Sequence, residues 1–145
     1  PFAESAKEVM RFAQEETFKW GQDAVYPECL LLGLTREEII RQRLIDLKID
    51  PASIPSRVQF LTGWKKKQDG VRQPEGAAPF PLTRDTRAVI QFAELDAYKY
   101  KLSEINSPHL LRAIIKHEGT IAAGVLISLE LNPGNMFWKV PPPTI

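Results

Sequence analysis

The chain has 145 residues, of which 43% are apolar and 26% charged, and this suits one globular domain with its own core. Its formal net charge of +1 gives no general attraction to nucleic acid, and its single cysteine excludes an intramolecular disulfide framework. The longest continuous apolar run, Cys29 to Leu32, is too short to cross a bilayer. We therefore expect a soluble protein of a reducing compartment, with no nucleic acid and no membrane as partner. Because the chain begins at Pro1 rather than Met, any targeting peptide would be invisible here.

The first predicted element is a helix over residues 4–21. Small and apolar side chains recur three or four positions apart, which places them in one stripe facing inward. The members of this stripe are Ala6, Val9, Met10, Ala13, Thr17 and Trp20. The opposite side carries charges that we expect to face solvent, with Glu15 and Lys19 spaced for an i,i+4 ion pair.

Three shorter helices are predicted after it. Pro27 is placed at the start of the second, where its missing N–H falls among the unpaired donors of a first turn. The third is expected over about Glu37–Leu47, and Asp50 followed by Pro51 is typical of the start of a fourth, although Pro55 complicates it. No stretch alternates apolar and polar residues as a strand would, so the fold class is all-α.

Residues 62–81 interrupt the helical periodicity with three glycines and three prolines, and they are predicted to form a connector. A segment of this length is usually either flexible or used as a contact surface. The run Lys65, Lys66 and Lys67 is expected to be a solvated loop, with a docking patch for an anionic partner as the alternative. Trp64 beside it could stack on a nucleobase, but one aromatic and one short basic run are a weak nucleic-acid signal.

The second half of the chain repeats the first. Residues 84–101 align without a gap on residues 4–21, and the matches fall on apolar positions: Val9 with Val89, Phe12 with Phe92, Ala13 with Ala93 and Phe18 with Tyr98. Pro108 again stands near a helix start, and a counterpart of the third helix spans about Ile121–Leu129. Asn132 followed by Pro133 matches the signal for a fourth helix, although Gly134 makes it doubtful. This repetition indicates a duplicated architecture.

A single copy of this length would bury too little surface alone, so we expect two copies of about four helices each, packed by pseudo-twofold symmetry around one core. The predicted organisation is one domain over residues 1–145, with repeat one at 2–61, the connector at 62–81, repeat two at 82–134 and a tail at 135–145. In the tail, Phe137 and Trp138 precede a run of prolines and offer anchoring surface for a partner, or else a cap on the protein's own core.

The repeated motif carries a specific resemblance. "PECLLLGL" at 27–34 and "PHLLRAII" at 108–115, each following the helix described above, resemble the Clp N-terminal repeat, which occurs as a tandem pair at the front of AAA+ Clp unfoldases. In that family the second helix commonly reads Thr-Glu-His-Leu-Leu-Leu-Gly-Leu. Repeat one matches it at Glu28, Leu30, Leu31, Leu32, Gly33 and Leu34, with Cys29 at the His position. Repeat two keeps His109, Leu110 and Leu111, but has Pro108 for Glu and Ala113 for Gly.

The resemblance implies a docking module that recruits adaptors and substrates and performs no chemistry of its own. In some unfoldases of this family a Glu in each copy helps to hold phosphorylated arginine. Glu28 matches the first of these, and Pro108 removes the second. As an alternative, an exposed Glu28 carboxylate could meet a guanidinium group in a groove between the copies. The chain contains no GxxxxGK[ST] loop, so it is not expected to be a motor by itself.

Two settings are compatible with this resemblance. The favoured one is a stand-alone, non-catalytic accessory subunit of ClpT type, which aids assembly or chaperone docking of a ClpP/ClpR protease in the chloroplast stroma. Its support is the divergence of the two copies, the lost motif Glu and the proline run of the tail. The alternative is the N-terminal domain of a ClpC- or ClpA-like unfoldase, with the bacterial cytoplasm as the other location. The expected partner-binding residues are Glu28, Trp64, Lys65, Lys66, Lys67, Phe137 and Trp138.

Catalysis, metal binding and cofactors are not expected. Cys29 and His109 occupy equivalent positions of the two copies, where the family has a structural His, and their spacing with His117 matches no dyad or ligand pattern. Glu37, Glu38 and Glu118 fall just past a helix end, where solvent-facing charge is expected. No catalytic residue, metal ligand or cofactor is therefore predicted.

Overall fold

A computed structural model describes residues 1–131. These residues form seven helices: α1 (Glu4–Lys19), α2 (Pro27–Arg36), α3 (Glu38–Asp46), α4 (Ser53–Thr62), α5 (Arg84–Lys99), α6 (Ser107–Lys116) and α7 (Ile121–Ser128). Within this range the only extended pairing is two isolated bridges, so the all-α prediction is confirmed. No helix of the described range is long and apolar enough to span a membrane. Repeat one has four helices and repeat two has three in this range, and the signal at Asn132 and Pro133 lies outside the described residues.

The apolar stripe of α1 faces the core as predicted. Ala6, Val9, Ala13 and Thr17 are buried, and Trp20, just past the helix end, is 6% exposed. The predicted ion pair between Glu15 and Lys19 is wrong. The Glu15 carboxylate instead accepts hydrogen bonds from Arg11 (2.8 Å) and Arg36 (2.9 Å), because Arg36 at the end of α2 reaches across to α1. Lys19 lies 3.7 Å from the Glu16 carboxylate.

The centre of the domain is formed by α2 and α6. In α2 every residue from Pro27 to Thr35 is buried, and in α6 the residues from Ser107 to Ile115 are buried except for the half-buried Arg112. Pro27 is the first residue of α2, where a proline costs no hydrogen bond. In repeat two, Asn106 caps α6. Besides α1 and α3, α2 contacts α4 and the three helices of the second repeat, so it belongs to the cores of both copies.

Reciprocal backbone pairing ties the two repeats together. Before α1, the Ala3 N–H donates to the Ile105 carbonyl (2.8 Å), and the Ile105 N–H donates back to the Pro1 carbonyl (3.1 Å). Before α5, the Thr83 N–H donates to the Val25 carbonyl (3.2 Å), and the Val25 N–H donates to the Pro81 carbonyl (2.8 Å). Pro81, Thr83 and Val25 are the counterparts of Pro1, Ala3 and Ile105 at a separation of 80 positions. In each case the segment before the long helix of one copy pairs with a loop of the other copy. This exchange is the expected pseudo-twofold relation.

The fourth helix begins later than the sequence indicated. Asp50 accepts a hydrogen bond from the Ala52 N–H (3.0 Å) in the turn before α4, and the helix starts at Ser53. Pro55 lies in the first turn of α4, where its missing N–H is tolerated. The helix ends at Thr62, and Gly63 closes it with φ +72, a left-handed conformation that favours glycine. The connecting segment therefore begins at Gly63.

Gly33 allows α1 and α2 to approach closely. A Cβ atom at this position would lie 2.8 Å from both the Ala13 nitrogen and the Val9 carbonyl oxygen of α1. Both atoms belong to a helix backbone, which cannot move aside without shifting the helix. The corresponding position of α6 is Ala113, so the second repeat accommodates a methyl group where the first does not.

Replacing Gly33 by alanine is therefore expected to destabilise the protein. We expect Gly33→Ala to lower the free energy of unfolding by about 1–3 kcal/mol, the usual cost of overpacking, measured by urea denaturation. Gly124→Ala is the matched control, because Gly124 lies in α7 and a Cβ atom added there would have nothing within 4 Å. This control should gain about 0.5–1 kcal/mol from helix propensity alone. Equal effects of the two substitutions would contradict the close approach.

Candidate docking surfaces

Glu28 is a structural residue inside the domain. The expected exposure of its carboxylate is wrong: the residue is 7% exposed, and its Oε2 accepts a hydrogen bond from the Ala122 N–H (3.0 Å). Ala122 lies in the first turn of α7, so a side chain of repeat one caps a helix of repeat two. Thr120 accepts the next N–H, that of Ala123 (3.1 Å), and completes the cap. Burial raises the pKa of Glu28 above its usual value of 4.5, although the Ala122 N–H partly offsets this effect.

Cys29 and His109 are buried at equivalent positions of α2 and α6. Both are fully buried, and burial raises the pKa of the Cys29 thiol and lowers the pKa of His109. The His109 Nδ1 accepts a hydrogen bond from the Asn106 N–H (3.0 Å), and the Asn106 side chain accepts one from the His109 N–H (3.2 Å). This reciprocal pair is a capping box that starts α6. His117 instead lies 2.9 Å from the Asp85 carboxylate at the surface.

Glu37 corrects a second expectation. The sequence predicts that it faces solvent, but it is 5% exposed and its carboxylate accepts hydrogen bonds from the N–H groups of Ile39 (2.8 Å) and Ile40 (3.2 Å). It is thus the cap of α3. Glu38 and Glu118 are exposed as expected. Within residues 1–131 no group of three or more Cys, His, Asp or Glu side chains is arranged to hold a metal ion.

Sequence analysis missed a buried acid in each copy. Glu16 is 5% exposed and bonds to Arg36 (3.0 Å) and to the Trp20 indole N–H (3.2 Å). Its counterpart 80 positions later, Asp96, is 5% exposed and lies 3.4 Å from Arg112 and 3.7 Å from Lys116. Lys116 is the counterpart of Arg36. Both copies therefore pair a buried acid with a base at this position, although Asp replaces Glu and Lys replaces Arg in repeat two. The signal was an acid adjoining the apolar stripe of both copies.

The connector lies against α1 and carries four of the predicted partner-binding residues. Trp64 is half-buried, and its ring lies 5.9 Å from the ring of Tyr26 at the start of α2. Lys65 and Lys66 are exposed. The Lys67 ammonium lies 3.6 Å from the centre of the Phe18 ring, so this lysine contacts α1 within the chain. Lys65 and Lys66 are therefore the members of the basic run that remain open to a partner. Phe137 and Trp138 lie outside the described residues.

A groove of about 640 Å³ separates the connector from the C-terminal half of α1. Acidic and basic side chains share its lining, including Glu15 and Glu16 of α1, Arg36 of α2 and Lys67 of the connector. Arg36 already forms ion pairs with both glutamates. The whole lining holds three acidic and four basic side chains, so the groove offers a ligand little surplus of one charge.

A second surface, which sequence analysis missed, lies on the outer side of α5. Leu95 is 66% exposed and Tyr98 is 82% exposed, although both are large apolar or aromatic side chains. Gln91 and Glu94 complete this surface, and we call these four residues the open face of α5. The sequence signal was the replacement of Glu15 by Leu95 on a side of the helix that is charged in repeat one. Exposed apolar side chains that adjoin one another are typical of interaction sites.

Comparison with known proteins identifies the family. The model of the Clp repeat (R) N-terminal domain matches residues 1–129. The chain belongs to the Clp N-terminal domain family. This match confirms the resemblance found in the sequence. Clp N-terminal domains are protein-interaction domains.

Relatives of this Clp N-terminal domain occur in bacteria and plastids. The chain is 30% identical over 133 residues to the Bacillus subtilis negative regulator of genetic competence ClpC/MecB, which covers 90% of this chain and 15% of the relative. It is 29% identical over 133 residues to the chaperone protein ClpB of Oceanobacillus iheyensis, covering 90% of this chain and 16% of that protein. Over 145 residues it is 27% identical to the chloroplastic chaperone protein ClpC1 of rice, covering 96% and 15%. The chain thus spans about a sixth of the length of these relatives.

A solved structure of the same family shares the fold. The N-terminal domain of the caseinolytic protease associated chaperone ClpD from Arabidopsis thaliana superimposes with a TM-score of 0.73 at 24% identity. The match covers 93% of this chain and 88% of that one. Within residues 1–131, the seven helices described above are therefore those of a Clp N-terminal domain.

The buried Glu28 carboxylate predicts a specific dependence of stability on pH. Because its pKa is raised by folding, its contribution to stability is complete below the unfolded value near 4.5 and is lost as pH rises through the raised pKa. Glu28→Gln keeps an acceptor for the Ala122 N–H without a charge. We expect urea denaturation to give the variant and the parent similar stability below about pH 4.5, with the variant the more stable at neutral pH.

The control for that series is Glu28→Ala, which leaves the Ala122 N–H without its acceptor. Relative to Glu28→Gln, it should cost about 1–3 kcal/mol at every pH from 4 to 8. If the stability of Glu28→Gln followed that of the parent in parallel over this pH range, burial would not disfavour the charged form of Glu28, and the account of this site would be contradicted.

Cys29 is expected to be chemically inert in the folded protein. It is fully buried and its pKa is raised, so the reactive thiolate is scarce and inaccessible. A thiol reagent such as DTNB should label the native chain only at the rate of unfolding, and label it promptly in urea. The exposed Ser103, in a Cys29→Ala, Ser103→Cys double variant, provides the accessible control. Prompt labelling of native Cys29 would show that the α2 interior is open.

Proposed function

We propose that this chain acts as the N-terminal docking domain of a Clp AAA+ chaperone, recruiting adaptors or substrates to it. The observation that carries the proposal is the match of the Clp repeat N-terminal domain to residues 1–129. The relatives described above are ClpB and ClpC chaperones, which favours this alternative over the stand-alone accessory subunit that sequence analysis preferred. Chaperone and protease subunits of Clp type are the partners that follow from it.

The geometry agrees with a role carried by the exterior. The side chains that suggested chemistry serve the fold instead, since Glu28 caps α7, Glu37 caps α3, His109 closes the capping box of α6, and Cys29 is fully buried. Groups open to contact with other proteins lie on the surface, and they include Lys65 and Lys66 of the connector and the open face of α5. Protein docking requires such surfaces, whereas catalysis requires convergent reactive groups in a cleft.

The accessory-subunit role is retained as the second candidate because repeat two departs from the family motif. Its α6 begins with Ser107 and Pro108, so the carboxylate that repeat one supplies at Glu28 has no counterpart there. A phosphorylated-arginine site needing one Glu from each copy is therefore not proposed. Bacterial and chloroplastic relatives make either the stroma or a bacterial cytoplasm a reasonable location.

An immunoblot of the source cells with an antibody raised against this domain separates the two candidates. A chaperone N-terminal domain should appear in a protein several times larger than the 16.4 kDa of this chain, and an accessory subunit near that mass. Native mass spectrometry of the antibody-purified complex then identifies the partners. Clp chaperone or protease subunits are expected, and a complex without any of them would overturn both candidates.

A further inference from the structure

The duplication provides an internal comparison of the same helix face in two states. In repeat one, residues 64–80 of the connector lie over the C-terminal half of α1 and contain no helix or strand. The Gln14 side chain pairs with its backbone at Phe80, donating to the carbonyl (2.9 Å) and accepting from the N–H (2.7 Å). At the other end of the connector the Lys67 N–H donates to the Lys19 carbonyl (2.8 Å), and the Lys67 ammonium lies on the Phe18 ring.

In repeat two the corresponding half of α5 is exposed. Gln14 and Phe18 are half-buried, but their counterparts Glu94 and Tyr98, each 80 positions later, are exposed. Just past the two helices, Trp20 is 6% exposed and its counterpart Tyr100 is 37% exposed. Within residues 1–131, the two copies therefore differ in whether an extended segment covers this face.

The exposed surface carries two shallow, open depressions. One groove of about 490 Å³ runs over Gln91, Glu94, Leu95 and Tyr98. A second, of about 500 Å³, lies at the end of the helix and is lined by Tyr98, Lys99, Lys101, Leu102 and Ser103. Tyr98 lines both depressions, so they lie next to each other on this side of α5.

The residues that replace those of α1 indicate the chemistry of the occupant. Tyr98 keeps the aromatic ring on which Lys67 lies in repeat one, so it can receive a cation. Glu94 replaces the Gln14 amide with a carboxylate, which accepts N–H groups and attracts a cation but cannot donate to a carbonyl. Leu95 replaces Glu15 and adds apolar contact area. At Glu94 and Tyr98 these changes favour a segment that carries one basic side chain among apolar ones, whereas Lys99 and Lys101 in the second depression disfavour further basic side chains there.

We propose that the open face of α5 binds an extended segment of a partner protein, with a lysine or arginine of that segment on the Tyr98 ring and beside the Glu94 carboxylate. The inference rests on the proposed docking function and adds a location and a partner chemistry to it. The intramolecular contact between the connector and α1 is the precedent for this binding mode.

The test is a titration of the isotope-labelled 145-residue chain with a synthetic peptide that copies residues 64–80, followed by NMR. We expect amide shift changes to concentrate at residues 91–102. Tyr98→Ala should weaken the fitted affinity by about two- to fivefold, the factor for one exposed cation–π contact. A peptide with its three lysines changed to glutamate should bind more weakly still, as should Leu95→Glu, which restores the residue of repeat one.

Phe60→Ala is the matched control, because Phe60 is an aromatic side chain of α4 that is 87% exposed. It should leave the affinity unchanged, and thermal unfolding should show that all variants are folded. Unchanged affinity in Tyr98→Ala, or shift changes confined to other helices, would overturn the inference. So would nuclear Overhauser contacts from Tyr98 to residues 137–138 of the free chain, or dimerisation that Leu95→Glu abolishes.

The experiments distinguish failure of this inference from failure of the proposed function. If the complex purified from cells contains Clp subunits while the peptide ignores α5, the docking function stands and the open face fails. If the peptide binds α5 while the purified complex contains no Clp subunit, the surface stands and its assignment to a Clp chaperone fails.

Discussion

The structure depends on the exchange of backbone hydrogen bonds between the two repeats. The segment before each long helix pairs with the loop that precedes the second helix of the other copy, at Ala3 with Ile105 and at Thr83 with Val25. Val25 and Ile105 are buried, and each finds the partners of its backbone groups in the other repeat. The exchange therefore sets α2 and α6 side by side, and the Glu28 cap on α7 adds a side-chain link between the same two copies.

The two copies have diverged in the residues that pack their first two helices together. The first uses Gly33 to bring α1 and α2 together, and the second uses Ala113. Buried ion pairs persist at Glu16 and Asp96 with different partners. Divergence at the surface is of another kind, because within residues 1–131 the connector covers one long helix and no segment covers the other. Differences of this second kind bear on partner choice, which is why the outer side of α5 matters more than the motif helix.

Much of this architecture was predictable from local patterns. The stripe of α1, the start of α2 at Pro27 and the duplication follow from spacing, since each depends on residues close together in the chain or on self-alignment. The burial of Glu28 did not, because its partner Ala122 is remote in sequence and belongs to the other copy. Glu37 was misjudged because a carboxylate between two helices can either face solvent or cap the next helix. The open face of α5 went unnoticed because it becomes visible only when the path of the connector over α1 is known.

The central claim is that two repeats form one cooperative body that presents its surface to other proteins. Native-state hydrogen exchange measures this directly at the four amides that donate across the two repeats, those of Ala3, Val25, Thr83 and Ile105. The account predicts that all four open with one common free energy, equal to that of global unfolding and lowered in parallel by denaturant. Two separate values, one for the pair at Ala3 and Ile105 and another for the pair at Val25 and Thr83, would contradict it.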